Sequence, residues 1–598
     1  MNKFVIILWI YSMAIGHAIG QKEGDAWIVG YSNSLNPNYS VLELNYGTGN
    51  LEIKRMPGEF SYTKETCSTI CDTEGNPLIW TNGMELRGRG LQEIEDTISY
   101  VPDDWDNIKP SFWNWWYSDS DYPYGFPIPN GAIILPDPSH RDIYHVIYQF
   151  SEWFNDPSGF ICTKWLTASI RTNPDSSFTL LTKDIEIGVS DVFFQLPVKA
   201  VRHANGRDWW LYMLLRGSSE YQLILLDPNG FHFMGLFDSG IYMPQSLGLA
   251  TISPKGNFMA AGAAVLNSED QFVYVYQIDR CNGNLSFKDS FSIATQLWPG
   301  FGFSPSEKYL YTSSEYFYLW QFDMEANDVG ASRVLVGEYD GFIHGSVFNT
   351  IFGPIMQTPD GRLYVVPATG SNEYLHIIDR PDEPGTDCKF LQHAVNLTVP
   401  QGRSAPNIPN YRLGPIDDSP CDTLGIDNKA TSRWRWEVND TLDPLTIRFT
   451  DLSFYEPDTW DWEFDDGADA TIPSPIHTFP DYGLYHVCQT VENQYQRDST
   501  CHWVELLPTV SVDDPSYIPF SIEPNPFSDE LRINYHSDGF TTGEVILTDL
   551  QGRQVLATGI VPLPITLQLD DLPSGMYICT IREKNGRMTS MKVVKSEK

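Results

Sequence analysis

The sequence predicts an all-β protein built from several domains. From about residue 24 to residue 387, short alternating strand patterns are separated by turns rich in Gly, Pro, Asn and Asp, and no amphipathic helix of three turns interrupts them. The 598 residues exceed one typical domain, and 42% of them are hydrophobic, so each domain has material for a core. A turn-and-strand phrase also recurs at the period of a propeller blade.

Composition argues against two classes of protein. The 77 acidic residues outnumber the 39 Lys and Arg, and the formal net charge of -38 repels nucleic-acid phosphates and anionic lipid surfaces. Acidic disordered chains lack aromatic residues, whereas this chain has 18 Trp, 31 Tyr and 32 Phe. We therefore expect a folded protein with no nucleic-acid partner.

Residues 1–20 predict a secretory signal peptide. Lys3 precedes an apolar stretch from Phe4 to Ile15, and the small residues Ala18 and Gly20 stand where a signal peptidase reads. The stretch is too short to span a bilayer, and no later window approaches the roughly 20 apolar residues of a transmembrane helix. The alternative is an N-terminal core helix. Export makes the nine cysteines candidates for disulfides.

The recurring phrase is a Ser or Thr, then Pro and a turn, then an apolar or aromatic strand. Its clear copies begin at Ser253, Ser304 and Thr358, which are 51 and 54 residues apart. Weaker copies are Asp72–Gly75, Pro136–Pro138 and Asn205–Asp208. Six copies, with an N-terminal half-blade at residues 27–51 that needs a strand from the far end, predict a seven-bladed β-propeller over residues 24–430. The alternative is a tandem of β-sandwiches.

Three stretches of this region carry a family resemblance. They resemble the propeller-type N-terminal region of large secreted proteins of the Bacteroidota, which implies a location and an architecture rather than a reaction. The stretches are Cys71–Gly83, Asn205–Trp210 and Asn410–Gly425.

Residues 434–508 change character and resemble a PKD domain, which implies an immunoglobulin-like sandwich. Alternation places Trp460, Trp462 and Phe464 on one face of a strand. Where this chain has Asp465 the family usually has Gly, and we expect the turn there to differ. The matching motifs are Thr446–Asp451, Trp460–Gly467, Pro475–Phe479 and Gly483–Val487.

Residues 521–598 resemble the type A sorting domain of the type IX secretion system. The resemblance implies a small β-sandwich, export by the type IX secretion machinery, and a protein that is secreted or attached to the outer surface of the outer membrane. The motifs, in order, are Glu523–Phe527, Leu547–Arg553, Leu572–Tyr577 and Met591–Lys595.

Six cysteines are disulfide candidates. Cys388 and Cys421 bracket a Pro- and Asn-rich connector, and a bridge between them would tie it to the propeller. Cys488 and Cys501 fall on what should be the last two strands of the PKD-like sandwich. Cys67 and Cys71 are a third candidate pair, across a turn. The alternative for each pair is reduced, buried cysteine. None has the paired C-x-x-C spacing of a zinc site.

The densest aromatic patch is the candidate ligand site. Trp113, Trp115, Trp116 and Tyr117 lie in a polar, loop-like stretch, and flat aromatic faces beside carboxylates and amides suit sugar rings. The alternative is a long loop that packs over one propeller face through its own aromatic residues.

No cofactor and no catalytic residue is predicted. Three acidic clusters have the oxygen ligands that calcium prefers, but none has the twelve-residue calcium-binding loop with its closing Glu. We therefore interpret them as solvated acidic loops, with calcium sites as the alternative. His140 and His145 would face opposite sides if they shared a strand. The clusters are Asp103, Asp104 and Asp106; Asp417, Asp418 and Asp422; and Asp465, Asp466 and Asp469.

The sequence therefore predicts an exported, surface or secreted interaction protein. The propeller face would bind a glycan or a protein, and the PKD-like module would act as a spacer. The alternative is a propeller enzyme acting on polysaccharides, a glycosidase or a lyase, with carboxylates paired at the tunnel mouth.

Overall fold

The structure is a computed structural model. In the described part of the chain, 43 strands are joined by turns and three short 3₁₀ helices (Arg89–Leu91, Gly330–Ser332 and Gly385–Cys388), and there is no α-helix. The described residues are 22–30, 40–56, 66–95, 130–155, 158–189, 198–215, 217–243, 246–265, 270–294, 299–344, 348–370, 372–403, 405–440, 443–506, 520–525, 527–535, 542–549, 553–562, 564–570, 572–583 and 588–596.

Seven antiparallel sheets follow one another along the described residues up to Gln401, each built from consecutive strands. Sheet 1 has three strands: β1 (Ala26–Gly30), β2 (Val41–Asn45) and β3 (Glu52–Met56). Sheet 2 has β4 (Ser68–Cys71), β5 (Pro77–Thr81), β6 (Leu86–Gly88) and β7 (Glu93–Glu95). Sheet 3 has β8 (Ala132–Pro136), β9 (Ile143–Asn155), β10 (Ser158–Thr172) and β11 (Phe178–Ile187). Sheet 4 has β12 (Lys199–Arg202), β13 (Trp209–Leu214), β14 (Ser218–Asp227) and β15 (Gly230–Met243).

The remaining three sheets repeat the same order. Sheet 5 has β16 (Ser246–Ile252), β17 (Phe258–Val265), β18 (Asp270–Ile278) and β19 (Leu285–Ala294). Sheet 6 has β20 (Phe301–Phe303), β21 (Tyr309–Ser314), β22 (Tyr318–Asp323) and β23 (Val334–Glu338). A hairpin of β24 (Ile343–His344) and β25 (Phe348–Asn349) precedes sheet 7, which has β26 (Phe352–Gln357), β27 (Leu363–Pro367), β28 (Asn372–Ile378) and β29 (Phe390–Gln401).

Each of the six recurring phrases forms the turn between the first and second strands of a four-stranded sheet. In the clear copies the fourth residue, Gly256, Glu307 or Gly361, has a positive φ of 67° to 75°, and its N–H donates to the carbonyl of the Ser or Thr three residues earlier. Glycine adopts this conformation without steric cost, which explains two of the three choices. We call the side of the propeller that carries these six turns the turn face, and the opposite side the hairpin face.

Neighbouring sheets pack into a ring, which is a β-propeller. Shared buried clusters join sheets 2, 3 and 4, then 4 and 5, 5 and 6, and 6 and 7. Trp27 and Leu44 of sheet 1 pack with Tyr364 and Leu397 of sheet 7, and Ile28 packs with Trp80 of sheet 2, so the ring closes. The predicted fold class is confirmed, and the blade number of the whole chain stays a prediction.

We expected strands from both ends of the chain to close the ring, and in the described residues they do not. Among the described residues no strand from beyond β29 joins sheet 1. Instead, side chains of sheet 2 bond the edge of β1: the Ala26 N–H donates to Cys71 Sγ at 3.2 Å, and the Ile28 N–H donates to Thr69 Oγ1 at 3.1 Å. A buried edge therefore has its polar groups satisfied without another strand.

The PKD-like module (residues 430–506) is a two-sheet sandwich. Trp434, Phe449 and Trp462 are buried with ring centroids 5.4–5.6 Å apart. Of the three aromatic residues predicted to share one face, Trp462 and Phe464 are buried with their rings stacked, and Trp460 is partly buried. Asp465 has φ +63°, the conformation in which Gly is usual. The strands are β30 (Trp434–Asp440), β31 (Asp443–Asp451), β32 (Thr459–Glu463), β33 (Asp469–Ala470), β34 (Ile476–Thr478), β35 (Gly483–Glu492) and β36 (Arg497–Leu506), in sheets of order β30-β31-β34 and β33-β32-β35-β36.

The C-terminal segment is a separate small sandwich. Its core includes Leu531, Ile533, Val545, Leu547 and Val593, all fully buried. The strands are β37 (Phe520–Glu523), β38 (Glu530–Tyr535), β39 (Thr542–Asp549), β40 (Gln554–Pro562), β41 (Ile565–Gln568), β42 (Gly575–Glu583) and β43 (Met588–Lys595), in sheets of order β37-β38-β41 and β40-β39-β42-β43.

Candidate functional site

The hairpin face exposes a cluster of large apolar side chains around β24 and β25. We call Phe317, Phe342, Ile343 and Phe348 the hairpin-face cluster; their exposed fractions are 44%, 38%, 53% and 36%. They come from the connection between β21 and β22 and from the one between β23 and β26, which meet at the same end of the sheets. Large exposed apolar side chains grouped at one end of the sheets are candidates for a contact site.

Polar groups flank these rings. The Phe342 ring lies 4.3 Å from the His393 ring and 5.5 Å from the Tyr374 ring, centroid to centroid. His393 Nε2 is 3.0 Å from Asp340 Oδ2. Burial opposes ionisation of Asp340, but the hydrogen bonds from the Phe342 N–H and from His393 outweigh it, so the pKa of this carboxyl is lowered. The cluster therefore offers flat apolar faces beside a carboxylate, an imidazole and a phenol.

The predicted ligand residues Trp113, Trp115, Trp116 and Tyr117 lie outside the described residues, and their role stays a prediction. The strands that flank this segment are described. β7 ends and β8 begins at the hairpin face, because the turns beside β4 and β8, at residues 72–76 and 137–142, lie on the turn face.

The turn face is occupied by the module that follows the propeller. Asp25, 1% exposed, accepts hydrogen bonds from Arg412 and, at 2.6 Å, from Arg433 Nη1. Arg362 bonds Asp379 Oδ1 at 2.8 Å and Glu437 Oε2 at 2.7 Å. The backbone of Gly49 lies so close to the carbonyl of Trp434 that a Cβ would not fit. The PKD-like module is thus packed on the propeller, and its role as a spacer stays a prediction.

The connector comprises residues 405–428, and its residues 407–411 cross the ring between the inner strands. Asn407 Nδ2 donates to the carbonyls of Ala132 at 3.0 Å and Val198 at 3.2 Å, and the Asn407 N–H donates to the Cys67 carbonyl at 2.8 Å. Tyr411 donates its hydroxyl hydrogen to the Ile134 carbonyl at 2.7 Å. One segment therefore joins the first strands of sheets 2, 3 and 4 from inside the ring.

A cavity of about 1220 Å³ lies between the inner strands, the connector and the PKD-like module. On the propeller strands and their turns its charged lining residues are all cations, Lys199, Lys255 and Arg280. Its acidic lining residues, Asp417, Asp451, Glu456 and Asp458, belong to the connector and the PKD-like module.

The predicted bridge between Cys388 and Cys421 is wrong. Cys421 is bonded to Cys281, with Cα atoms 5.6 Å apart, and Cys388 is a buried free thiol whose pKa burial raises to about 11. Cys281 lies in the turn between β18 and β19, so the connector is tied to sheet 5 rather than to the end of sheet 7.

The predicted pair Cys67 and Cys71 is also wrong, because both are buried free thiols. They stand four residues apart along an extended segment that ends in β4, too far apart to bond. Cys67 Sγ donates to the Ile28 carbonyl at 2.8 Å, and burial raises the pKa of Cys67 to about 12. Their role is to bond the edge of β1.

Cys488 and Cys501 form a disulfide between β35 and β36, with Cα atoms 4.1 Å apart. The ring of His486 lies close to the two sulfur atoms. Bonded sulfur atoms are not thiolate ligands, so this group is not a zinc site in the oxidised protein.

The acidic and histidine candidates also have structural partners. His145 Nε2 lies 2.9 Å from Asp137 Oδ2, and His140 Nδ1 lies 3.2 Å from Asp137 Oδ1. The two histidines therefore meet at one carboxylate, because His140 lies in a turn and not on the strand of His145.

In the PKD-like module, Asp466 Oδ2 lies 2.7 Å from His477 Nε2, and Asp465 Oδ2 accepts the His486 N–H at 3.0 Å. Burial and the neighbouring carboxylates of Asp422 and Asp418 raise the pKa of Asp417. The cluster of Asp103, Asp104 and Asp106 lies outside the described residues. That these acidic clusters are solvated loops and not calcium sites stays a prediction.

Two family models match the chain. Residues 437–506 match a PKD domain, and residues 521–596 match a secretion system C-terminal sorting domain. The chain carries a type IX secretion sorting domain. This domain indicates that the protein is exported by the type IX secretion system and is secreted or attached to the cell surface. No helix in the described part of the chain is long and apolar enough to cross a membrane. The signal peptide at residues 1–20 lies outside the described residues and stays a prediction.

A search of the curated proteins finds no match. Solved structures similar to this chain include the β-propeller domain of Cps50 (Swd1) from Myceliophteria thermophila, at 12% identity, covering 58% of this chain and 90% of that one, with a TM-score of 0.31. A putative 6-phosphogluconolactonase from Bacteroides uniformis matches at 13% identity over 64% and 98%, with a TM-score of 0.32. Hydrazine synthase from Kuenenia stuttgartiensis matches at 14% identity over 60% and 96%, with a TM-score of 0.30.

Proposed function

We propose that the protein is a surface-attached or secreted carbohydrate-binding protein whose hairpin face contacts the ligand. The observation that carries this proposal is the exposure of the hairpin-face cluster on a propeller whose turn face is already covered by the connector and the PKD-like module. The covered face has buried ion pairs and a bridging disulfide, which are the marks of a permanent contact.

The chemistry of the cluster favours a sugar over an apolar peptide segment. Sugar rings present C–H groups to an aromatic face and hydroxyls to adjacent acceptors and donors. Phe342 supplies the face, and Asp340, His393 and Tyr374 supply the polar groups within one side-chain length of it. The predicted platform at Trp113, Trp115 and Trp116 belongs to the connection between β7 and β8, and its part in binding stays a prediction.

A glycan array probed with the secreted protein tests the proposal, followed by affinity measurements on Phe342→Ala. We expect the substitution to weaken binding of an array hit by about 1–3 kcal/mol, as for other aromatic contact residues. The matched control is Phe233→Ala, because Phe233 is similarly exposed, at 45%, on the outermost strand of sheet 4. An array with no hit, or equal losses in the two variants, would contradict the proposal.

Two outcomes would assign another function. Release of soluble oligosaccharides from a bound polysaccharide would identify an enzyme. Capture of a protein that excess free sugar does not displace would identify a protein ligand.

A further inference from the structure

Lys199 is an unusual residue in this propeller. It begins β12, lines the cavity, and is partly buried among the inner strands. Its Nζ donates to Asn407 Oδ1 at 2.7 Å, and no carboxylate pairs with it in the described part of the chain. An ammonium has three N–H donors, so a single acceptor leaves two of them to be satisfied by water or by a ligand.

The partner of Lys199 is itself held rigidly. Asn407 Nδ2 donates to the carbonyls of Ala132 and Val198, which fixes the amide orientation and leaves Oδ1 as the acceptor for the amine. Desolvation lowers the pKa of Lys199 to about 7. A charged amine without a counter-ion costs stability, and such an amine in the lining of a cavity is a candidate for a ligand contact.

The surrounding charge points to the sign of the ligand. On the propeller strands and turns the charged residues that line the cavity are cations, whereas the four acidic lining residues lie on the connector and the PKD-like module. Arg280 donates hydrogen bonds to the carbonyls of Arg202 and Gly414, at 2.9 and 2.6 Å. It therefore contributes positive charge to the lining, and these donors are not available to a ligand. The unfilled N–H donors of Lys199 therefore favour an anionic acceptor on the propeller side of the cavity.

We propose that the cavity between the inner strands and the connector binds a small ligand that carries a carboxylate or a phosphate, and that Lys199 is the residue that contacts this anionic group. The volume of about 1220 Å³ accommodates a ligand of sugar-acid or sugar-phosphate size with its water. This site is separate from the hairpin-face cluster, and it does not depend on carbohydrate binding there.

Calorimetric titration of the full secreted protein tests the proposal with three probes: inorganic phosphate, glucuronate and, as the neutral control, glucose. We expect phosphate or glucuronate to bind, with an affinity at least tenfold lower in Lys199→Met and unchanged within twofold in Lys308→Met. Lys308 is exposed on the turn face and does not line the cavity. Binding of phosphate alone would identify a phosphate-bearing ligand, and binding of glucuronate alone a carboxylate-bearing one.

A second measurement on the unsubstituted protein covers the case in which Lys199→Met does not fold. Acetylation with dilute acetic anhydride at neutral pH, read by peptide mass spectrometry, should modify Lys199, and saturating phosphate or glucuronate should reduce that modification at least fivefold while leaving Lys308 unchanged. No anion binding, equal affinity in Lys199→Met, glucose binding as tight as glucuronate, or an unprotected Lys199 would each overturn the proposal.

Discussion

The two faces of the propeller differ in what they bury: the turn face buries charged groups, and the hairpin face exposes aromatic rings. At the turn face, Asp25 lies between two arginines, Arg412 and Arg433, and the connector and PKD-like module bury the inner strand ends. At the hairpin face, Phe342 and Ile343 remain exposed beside polar groups. Removing one partner of a buried ion pair strongly destabilises the fold, because the other charge is left buried and unpaired. Exposed aromatic rings are common on protein surfaces and contribute less to stability. The turn face therefore carries contacts on which stability depends, and the hairpin face is the side that we propose for binding.

The largest expected effect comes from breaking the turn face. Asp25→Ala leaves Arg412 and Arg433 buried without their shared carboxylate, and we expect a loss of about 3–5 kcal/mol in unfolding free energy, measured by urea denaturation. Glu52→Ala, which removes an exposed carboxylate 3.8 Å from Lys54 Nζ, is the control and should cost less than about 0.5 kcal/mol. Similar losses in both variants would show that the turn face has no special role in stability.

The second effect concerns the bridge that ties the connector to sheet 5. Replacing Cys281 and Cys421 by Ser should lower stability by about 2–4 kcal/mol and open residues 405–428 to protease cleavage. The matched double Ser variant of Cys488 and Cys501 should destabilise the PKD-like module without opening the connector. A thiol assay that finds Cys281 and Cys421 reactive in the native secreted protein would refute this pairing.

The third effect is a pH dependence at His376, beneath the hairpin-face cluster. Its Nε2 donates to the Thr350 carbonyl at 2.7 Å and its Nδ1 accepts the His393 N–H at 3.2 Å, so only the neutral ring satisfies both bonds. Burial lowers the pKa of His376 to about 3, and the charge of the neighbouring His393 is the second cause. In the unfolded chain this histidine takes up a proton below a pKa of about 6.5, and in the folded chain it does not. The unfolding free energy therefore decreases as the pH is lowered, by about 2 kcal/mol at pH 5 relative to neutral pH.

His376→Gln keeps a donor for Thr350 and removes this titration. Urea denaturation from pH 7 to pH 5 should therefore show a shallower loss in the variant than in the unsubstituted protein. Equal slopes would mean that His376 is protonated in the folded state.

The smallest stability effect belongs to the hairpin face. Phe342→Ala should change the unfolding free energy by less than about 1 kcal/mol, because the ring is already 38% exposed, while glycan affinity falls. A loss of stability of about 3 kcal/mol or more would place Phe342 in the core and remove the distinction between the faces.

Local patterns in the sequence predicted much of the fold. The turns before Gly256 and Gly361 follow from residues adjacent in the chain, and Glu307 takes the same left-handed conformation without being glycine. The disulfide of Cys488 and Cys501 follows from neighbouring strands. Each of these features is set within a few residues or across one strand pair.

Features that depend on distant segments were missed. Cys281 meets Cys421 across 140 residues, and the hairpin-face cluster joins Phe317 to Phe342 from two different connections. The edge of β1 is satisfied by Cys71 and Thr69 side chains, a solution that strand patterns do not reveal. Residues far apart in the sequence meet in these places only after the sheets have packed into the ring, so local sequence patterns do not predict the contacts.

Hydroxyl-radical footprinting of the secreted protein, with and without its array-selected glycan, tests the division between the faces most directly. We predict that the glycan reduces oxidation of Phe317, Phe342 and Phe348 and leaves peptides from the connector and from the PKD-like module unchanged. Protection confined to the connector or to the PKD-like module, with Phe342 still oxidised at the rate of the free protein, would contradict the account.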